Sequence, residues 1–501
     1  MSDVPVVIVG GGSVGLSTAV FLGHHGVRSL VLERRAAPSN HPRALGVSSR
    51  TFEFFREAGL HDEVNAAVVT STTQWKANAR TVAEIDHSQA PAPSAAASVV
   101  SPESPRGHCP QDRLDAALLP AARERGAAVE FGAEVTAVGQ DADGVTVTLA
   151  DGRTISADYL VGADGVNTKV RGALGIGTTG PGELGGTAMN ILFSADLVGH
   201  FGSMPVMVEI QHPDVSGMLL AVGEGRWVIH VPLTDGEEPT EERCLAWIRT
   251  AIGADVPVEI LNAMPWRATM RMAAEFRRGR AFLVGDAARA ITPLGALGLN
   301  TGVADAHNLA WKLAMVLAGT AGDGLLDTYH DERHAIAELV TEQAALRWEN
   351  PPLHWDPAAA AGRAAVGMWN APVVIMGYRY DSTAVVDPVT AVPSTEDIVA
   401  CLNGDAGSRL PHRWIGPGKS TVDLIGPGFA VLTGPGGEAW CEAARENGLR
   451  ATVLDADWTS SVALAEDGAM LVRPDGFIAW RTGSGADTAL LGKILAMVTS
   501  R

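Results

Sequence analysis

Residues 6–33 read VVIVGGGSVGLSTAVFLGHHGVRSLVLE, and the order of features along them decides the fold. Residues 6–9 are a short β-branched run suited to a buried strand. Gly10-Gly11-Gly12-Ser13-Val14-Gly15 follows, then an apolar helix to about Gly23, then a second strand over residues 29–32 that Glu33 closes. Strand, G-x-G-x-x-G turn, helix, strand and acid in that order predict a dinucleotide fold: Gly10 permits the tight turn, Gly12 lets backbone approach a pyrophosphate, and Gly15 lets helix pack on strand. Glu33 falls where an acid can accept hydrogen bonds from the ribose hydroxyls of an adenosine. The chain carries its own control. Residues 175–180, GIGTTG, match the same pattern but lead into Pro181-Gly182 rather than a helix, and carry no weight.

A second stretch, residues 280–312, joins three devices. An apolar run over residues 281–284 predicts a strand ending at Gly285-Asp286. A turn through Pro293, Gly295 and Gly298 follows, and then a helix over about residues 301–317. Asp286 puts a carboxylate where a polyol hydroxyl can bind. The glycines let backbone approach a flat ligand, and the amides of the helix start favour an anionic ring edge. An ordinary strand–loop–helix crossover would carry the same pattern if it stood alone.

At 501 residues the chain holds two or three domains. A net charge of −19 argues against nucleic acid as a partner. The first strand begins within a few residues of Met1, which leaves no room for a signal peptide, and no apolar run approaches ~20 residues, so no membrane span is expected. Cys109, Cys244, Cys401 and Cys441 are too scattered for a metal cluster or a disulfide framework, so no metal is expected and a cytoplasmic setting fits.

Along the chain, Arg34-Arg35 and a loop with Pro38, Pro42, Arg43 and Gly46 follow Glu33. Arg43 reads equally as a solvated loop charge or as a residue beside the cofactor. Residues 73–107 predict a strand pair and a mobile loop. Gln111 precedes a helix over residues 114–125, and a small hairpin sheet follows, ending in Gly162-Ala163-Asp164-Gly165, which puts a second carboxylate at a second strand end. Residues 176–274 predict an open antiparallel sheet with strands near 204–211, 217–222 and 226–231 and one helix near 241–252. Its methionines (Met189, Met204, Met207, Met218, Met264, Met270 and Met272) are core filler or the lining for a large flat apolar ligand. A helix is expected over residues 331–348. Near Ala406 a last unit begins, with a strand at 429–432, a helix at 438–447 and a hairpin at 468–481 around Pro474-Asp475-Gly476. Trp440-Cys441 is similar to the start of a dithiol active site, yet Ala444 stands in the second cysteine's place, so internal dithiol exchange is impossible.

These motifs, the GADG segment at 162–165 and the GDAA…P…G…GLN…DAHNLAWKLA run at 285–314 together resemble the class A FAD-dependent aromatic hydroxylases of para-hydroxybenzoate hydroxylase type. More narrowly they resemble the aromatic-polyketide hydroxylases, which add a C-terminal thioredoxin-like domain. The resemblance implies an α/β chain in three parts. Residues 1–72, 106–175 and 275–390 would form a Rossmann-like FAD-binding domain of glutathione-reductase type. Residues 73–105 and 176–274 would form an antiparallel-sheet substrate domain, and 391–501 the thioredoxin-like domain. It implies FAD held by Gly10, Gly12, Ser13, Val14, Gly15, Glu33, Arg34, Arg43, Gln111, Asp164 and Asp286, with Pro293, Gly298, Leu299 and Asn300 at the isoalloxazine. Arg43, Pro293 and Asn300 would serve the chemistry. Arg289 stands where the family usually has histidine and Thr168 where serine is common. Arg289 adds a fixed charge near the flavin side of the loop, against a proton relay there.

The activity implied is oxidation of NADPH (or NADH), addition of O2 at the flavin C4a carbon, and hydroxylation of a polycyclic aromatic molecule by the hydroperoxide. All four tyrosines (Tyr159, Tyr329, Tyr378 and Tyr380) fall outside the middle sheet, so none from that layer can deprotonate a phenol. Gln211, Met218, Trp227 and His230 are the pocket candidates, with His212 as a further one, and a homodimer is compatible. A flavin halogenase would show W-x-W-x-I-P, but residues 227–232, WVIHVP, lack the second tryptophan. A Baeyer–Villiger or antibiotic-inactivating oxygenase on the same scaffold stays open, as does a flavin-fold carrier without turnover.

Overall fold

The computed structural model describes residues 2–39, 41–42, 44–90, 99–105, 107–234, 236–485 and 487–501. Its first strand, Val4–Val9, pairs in parallel with Ser29–Glu33 on one side and Thr154–Gly162 on the other. Val6, Val7 and Ile8 lose all exposure to solvent. A strand covered on both faces needs an apolar residue at every position, which is why this one reads as a continuous run. The sheet extends to Ala127–Phe131 beyond Ser29–Glu33 and to Ala281–Leu283 beyond Thr154–Gly162. The antiparallel hairpin Val135–Gln140 and Val145–Leu149 attaches to Thr154–Gly162. Helices Ser13–His24, Gln111–Glu124 and Leu297–Leu317 bury Leu16, Val20, Leu114, Leu118, Val303 and Leu309 in the same core. Gln111 is the first residue of its helix rather than a residue ahead of it. The third helix starts a full turn earlier than residue 301, so Asn300 lies inside its first turn.

The second layer is a seven-stranded sheet in the order Arg289–Ala290, Glu259–Ala273, Thr178–Ser194, Arg226–Pro232, Val215–Gly223, Met204–His212, Thr72–Ala79. Three corrections arise here. Residues 73–107 supply one strand and two short 3₁₀ turns, Val82–Glu84 and His87–Gln89, where a strand pair was expected; the loop expected there lies partly outside the described residues. That strand runs parallel to Met204–His212, so the sheet is not wholly antiparallel. Its longest members, Thr178–Ser194 and Glu259–Ala273, were not expected at all: the first opens TTGPGELGG, and its register with the second shifts three times. Bulged, glycine-rich strands lack the alternation that announces a strand. The GIGTTG control therefore leads into a strand. Helix Glu241–Ile252 covers one face of this sheet, burying Trp247 and Ile248 against Ile191, Phe193, Leu219, Trp227 and Ile229.

The C-terminal unit is a thioredoxin-like four-stranded sheet: Arg450–Val453 parallel to Ala430–Thr433, then Ala469–Val472 and Ile478–Thr482 antiparallel, with helices Glu438–Glu446 and Leu490–Val498. It is joined to the first unit by buried charge. Glu332, on the long helix Gly324–Glu349 that exceeds the expected 331–348 at its start, accepts from Arg473 at 2.5 and 2.8 Å, from Lys312 Nζ at 2.8 Å, from Asn308 at 2.7 Å and from Ser382 at 2.6 Å. Arg473 also grips Asp475 of the Pro474-Asp475-Gly476 turn.

Candidate active site

The two strand ends and the glycine turn meet as the spacing requires. Gly10 has φ +111°, and a Cβ there would overlap the Ala163 carbonyl. A Cβ on Gly15 would overlap the Gly10 carbonyl, so helix and strand touch through bare backbone. A Cβ on Gly12 would meet nothing within 4 Å, so the turn has an open side there. Gly12 is the N-cap of helix Ser13–His24 and supplies no side-chain cap, so the amides of that first turn face the open side. Buried Glu33 stands beside it: Oε2 accepts from Gly11 N at 2.8 Å and Oε1 from Arg35 N at 2.9 Å, leaving lone pairs on both oxygens.

The second half of the site is the turn after Ala281–Leu283. Gly285, at φ +59°, and Gly302 both press on the Val14 side chain: a Cβ on Gly302 would come within 2.8 Å of Val14 Cγ2 and 3.0 Å of Gly285 Cα. The dinucleotide helix, the Gly285-Asp286 turn and the helix Leu297–Leu317 therefore converge, with exposed Asp286 at the junction. Gly295 (φ +92°) and Ala296 (φ +53°) are successive left-handed residues that swing the chain from Pro293 into the helix. This helix start also has no side-chain cap, so Gly298 and Leu299 belong to a turn whose amides can face an anion. Asp164 caps a different helix, accepting from Lys169 N at 2.7 Å and Val170 N at 3.2 Å, while its buried Oδ1 has no partner among the described residues. Gln111 begins its helix with N donating to Ala44 O at 2.9 Å, and Arg34 is exposed beside Glu33. Two uncapped helix starts, an open glycine turn, carboxylates at 33 and 286 and an orphaned oxygen at 164 fit a dinucleotide flavin.

Two expected residues sit differently from their reading. Asn300 is 6 % exposed and fully engaged: Oδ1 accepts from Ser48 N (2.8 Å) and Thr51 Oγ1 (2.7 Å), and Nδ2 donates to Gly46 O (3.1 Å) and Ala296 O (2.6 Å). It ties the 46–51 segment to the helix start, a positioning task. Arg289 is not an open loop charge: it is fully buried, donating to Asp305 at 2.7 Å, and Asp305 also accepts from Arg333 at 2.8 Å and Gly285 N at 3.1 Å. A carboxylate between two guanidiniums sets the back of the Gly285 turn. Arg43 lies outside the described residues.

Of the pocket candidates, Met218 and His230 are direct cross-strand partners, and Gln211 shares their face at an exposed strand end. Trp227 does not: it points to the other face, buried in the helix-covered core, with Nε1 donating to Ala195 O at 3.0 Å. Successive residues alternate faces, so Trp227 and His230 cannot share one. Met207, Met218 and Met264 lie on the His230 face; Met189 and Met204 are in the helix-covered core. The face away from helix Glu241–Ile252 carries Leu192, Leu220, Val222 and Val228, which pack on Leu45 of the 44–48 segment, and a Cβ on Gly46 of that segment would touch Ala296 at 2.8 Å. The segment is thus wedged between this sheet face and the helix start.

Sequence reading missed Asp115. It is buried under the glycine turn, accepts from Ser13 Oγ, and is pushed up to about 7, chiefly by burial. Its signal was a lone acid among Leu114 and Leu118 on the apolar face of a helix.

Residues 3–344 match the FAD binding domain family and residues 403–501 match the aromatic-ring hydroxylase C-terminal family. The chain belongs to the FAD-dependent aromatic-ring hydroxylases. This hydroxylase is 37 % identical to tetracenomycin B2 monooxygenase-dioxygenase of Streptomyces olivaceus, over 100 % of its own length and 99 % of the relative's. It is 36 % identical to 4-methyl-5-nitrocatechol 5-monooxygenase of a Burkholderia species, over 96 % and 94 %. Among solved structures it is similar to aklavinone-11 hydroxylase in complex with FAD and aklavinone, at a TM-score of 0.85 and 34 % identity, covering 100 % of both chains. It is an FAD-dependent monooxygenase that uses NAD(P)H and O2. No helix of its described residues is long and apolar enough to cross a membrane.

Proposed function

We propose that this monooxygenase hydroxylates a polycyclic aromatic substrate of polyketide type, in the cytoplasm and with NADPH as the preferred reductant. FAD, when bound, supplies the transfer of electrons to O2. The chain's own residues hold and orient it: Gly12 and Ser13 at the pyrophosphate, Glu33 at the adenosine ribose, Asp286 at the ribityl chain, and the amides of Gly298 and Leu299 at the ring's anionic edge, with Asn300 fixing that helix start. Arg34, Gln111 and Asp164 complete the cradle. The domain division at 72, 106, 175, 275 and 390 is part of the same reading, and the Arg289–Ala290 strand, which lies in the third FAD-binding segment yet pairs with the middle sheet, is where the two layers lock.

One observation supports the substrate class. The sheet face turned to the 44–48 segment presents the partly exposed Met207, Met218, Leu220 and Met264 beside the buried patch that Leu192, Val222 and Val228 make with Leu45, an apolar lining suited to a flat ring system. Such a face recognises area, at ~25 cal/mol per Å² buried. The nitrocatechol relative favours a second reading, a single-ring substrate on the same scaffold. Substrate-stimulated NADPH oxidation across a panel from 4-hydroxybenzoate to tetracyclic hydroxyquinones, with product mass, separates them. Coupled turnover of the polycycles with one added oxygen supports the proposal; coupled turnover of one-ring phenols alone refutes it. One added oxygen with an opened ring or lactone makes the reaction a Baeyer–Villiger oxidation.

A further inference from the structure

On the sheet face away from helix Glu241–Ile252, Asn190 and His230 stand directly opposite each other in antiparallel register. Their side chains leave the sheet on the same side, as neighbours. Both carry a buried polar atom with no hydrogen-bond partner among the described residues: Oδ1 of Asn190, a residue only 7 % exposed, and Nδ1 of His230. Two adjacent unmet groups are unusual in a packed protein and call for an explanation. The surroundings supply one. Met218 and Met264 extend the same cross-strand row on either side, and the Trp266 ring lies 6.0 Å from the imidazole. Asn262, beside them, meets His41 of the first unit at 3.3 Å. The pair is thus a polar point in an apolar surface, on the face turned to His41 and the 44–48 segment.

Resting on the reading that this face receives a polycyclic substrate, we infer that Asn190 and His230 together read an adjacent hydroxyl and carbonyl on the substrate's edge. A hydroxyl donates to the amide oxygen of Asn190, and the neighbouring carbonyl accepts from the imidazole N–H of His230. Burial, reinforced by His41, lowers His230 to about 4, so it meets the substrate as a neutral imidazole. A neutral donor–acceptor pair selects neutral oxygenated rings and gives no charge to attract a lone carboxylate. Selectivity of this kind is strong because a ligand lacking the oxygens leaves both buried groups unpaired.

The test titrates the FAD-loaded protein with 1,8-dihydroxyanthraquinone and with anthracene, following the flavin absorption spectrum. Asn190→Leu and His230→Leu should each weaken the dihydroxyquinone about tenfold while leaving anthracene binding and flavin content unchanged, and His230→Gln should recover part of the loss. Wild-type affinity for the dihydroxyquinone in both Leu variants overturns the inference and leaves the polycyclic reading standing. A wild-type protein that ignores both compounds but binds 4-hydroxybenzoate through these two residues overturns the polycyclic reading and keeps the pair.

Discussion

Replacing Arg473 with Met should release the C-terminal domain from the rest of the molecule. Arg473 makes four contacts of 2.5 to 3.0 Å, two to Glu332 and two to Asp475. Glu332, Lys312 and Arg473 have fully buried side chains, and that of Asp475 is 2 % exposed. Two cations thus balance two anions away from water. Methionine keeps most of the volume but leaves a surplus negative charge there. Glu332, held well below the usual carboxylate range by Arg473 and Lys312 against its burial, would keep only Lys312 as a cationic partner. Breaking a buried pair by removing one partner costs ~3–5 kcal/mol, against at most ~1 kcal/mol for an exposed pair. Urea unfolding followed by tryptophan fluorescence reads the loss, since Trp311 packs edge-on against Phe429 at this junction. The fluorescence transition should move to lower urea than flavin release. Arg473→Met with Asp475→Asn restores charge balance and should recover a large part of the loss. A single-variant loss below ~1 kcal/mol would refute the idea that this cluster holds the domain.

Glu33→Ala removes the acceptor beside the glycine turn and should weaken FAD by ~1–3 kcal/mol, read as flavin lost on dilution; undiminished retention contradicts the assignment. Asp115 is raised in the folded protein, so the stability it contributes is whole below its ordinary value of about 4 and is lost as pH rises through about 7. Thermal unfolding of the flavin-free protein should therefore fall across that window, and Asp115→Asn should flatten the fall. Cys441→Ser should leave turnover intact, because the thiol's pKa is raised by burial and it has no second cysteine at Ala444; thiol-dependent loss of activity would reopen a redox role.

The N-terminal unit was legible because its constraints are local. A central parallel strand must be apolar throughout, and Gly10 and Gly15 sit where backbones touch, so residues 6–33 announce themselves without the rest of the chain. The middle sheet was half legible. Met204–His212, Val215–Gly223 and Arg226–Pro232 alternate cleanly, but Thr178–Ser194 bends at Gly180, Gly182 and Gly185 and Glu259–Ala273 is bulged, so their side chains follow no simple period. Which face a residue took was lost with the register, and Trp227 was misread for that reason while Asn190 was overlooked. Gly302 was available as a signal, a glycine inside a predicted helix, which usually marks a close approach. The buried ion clusters were not: Arg289 with Asp305 and Arg473 with Glu332 look like ordinary surface charges until tertiary packing covers them.

On the proposed function, the flavin site and the sheet face that carries Asn190 and His230 act together in NAD(P)H-dependent oxygenation. The most direct test is turnover of the flavin-loaded protein under isotopically heavy dioxygen with a tetracyclic hydroxyquinone and NADPH, followed by product mass spectrometry. NADPH oxidation should rise when the quinone is added, and the product should carry heavy oxygen taken from the gas. A product whose new oxygen comes from water, or NADPH oxidation that yields only peroxide at the same rate with and without the aromatic compound, would contradict it.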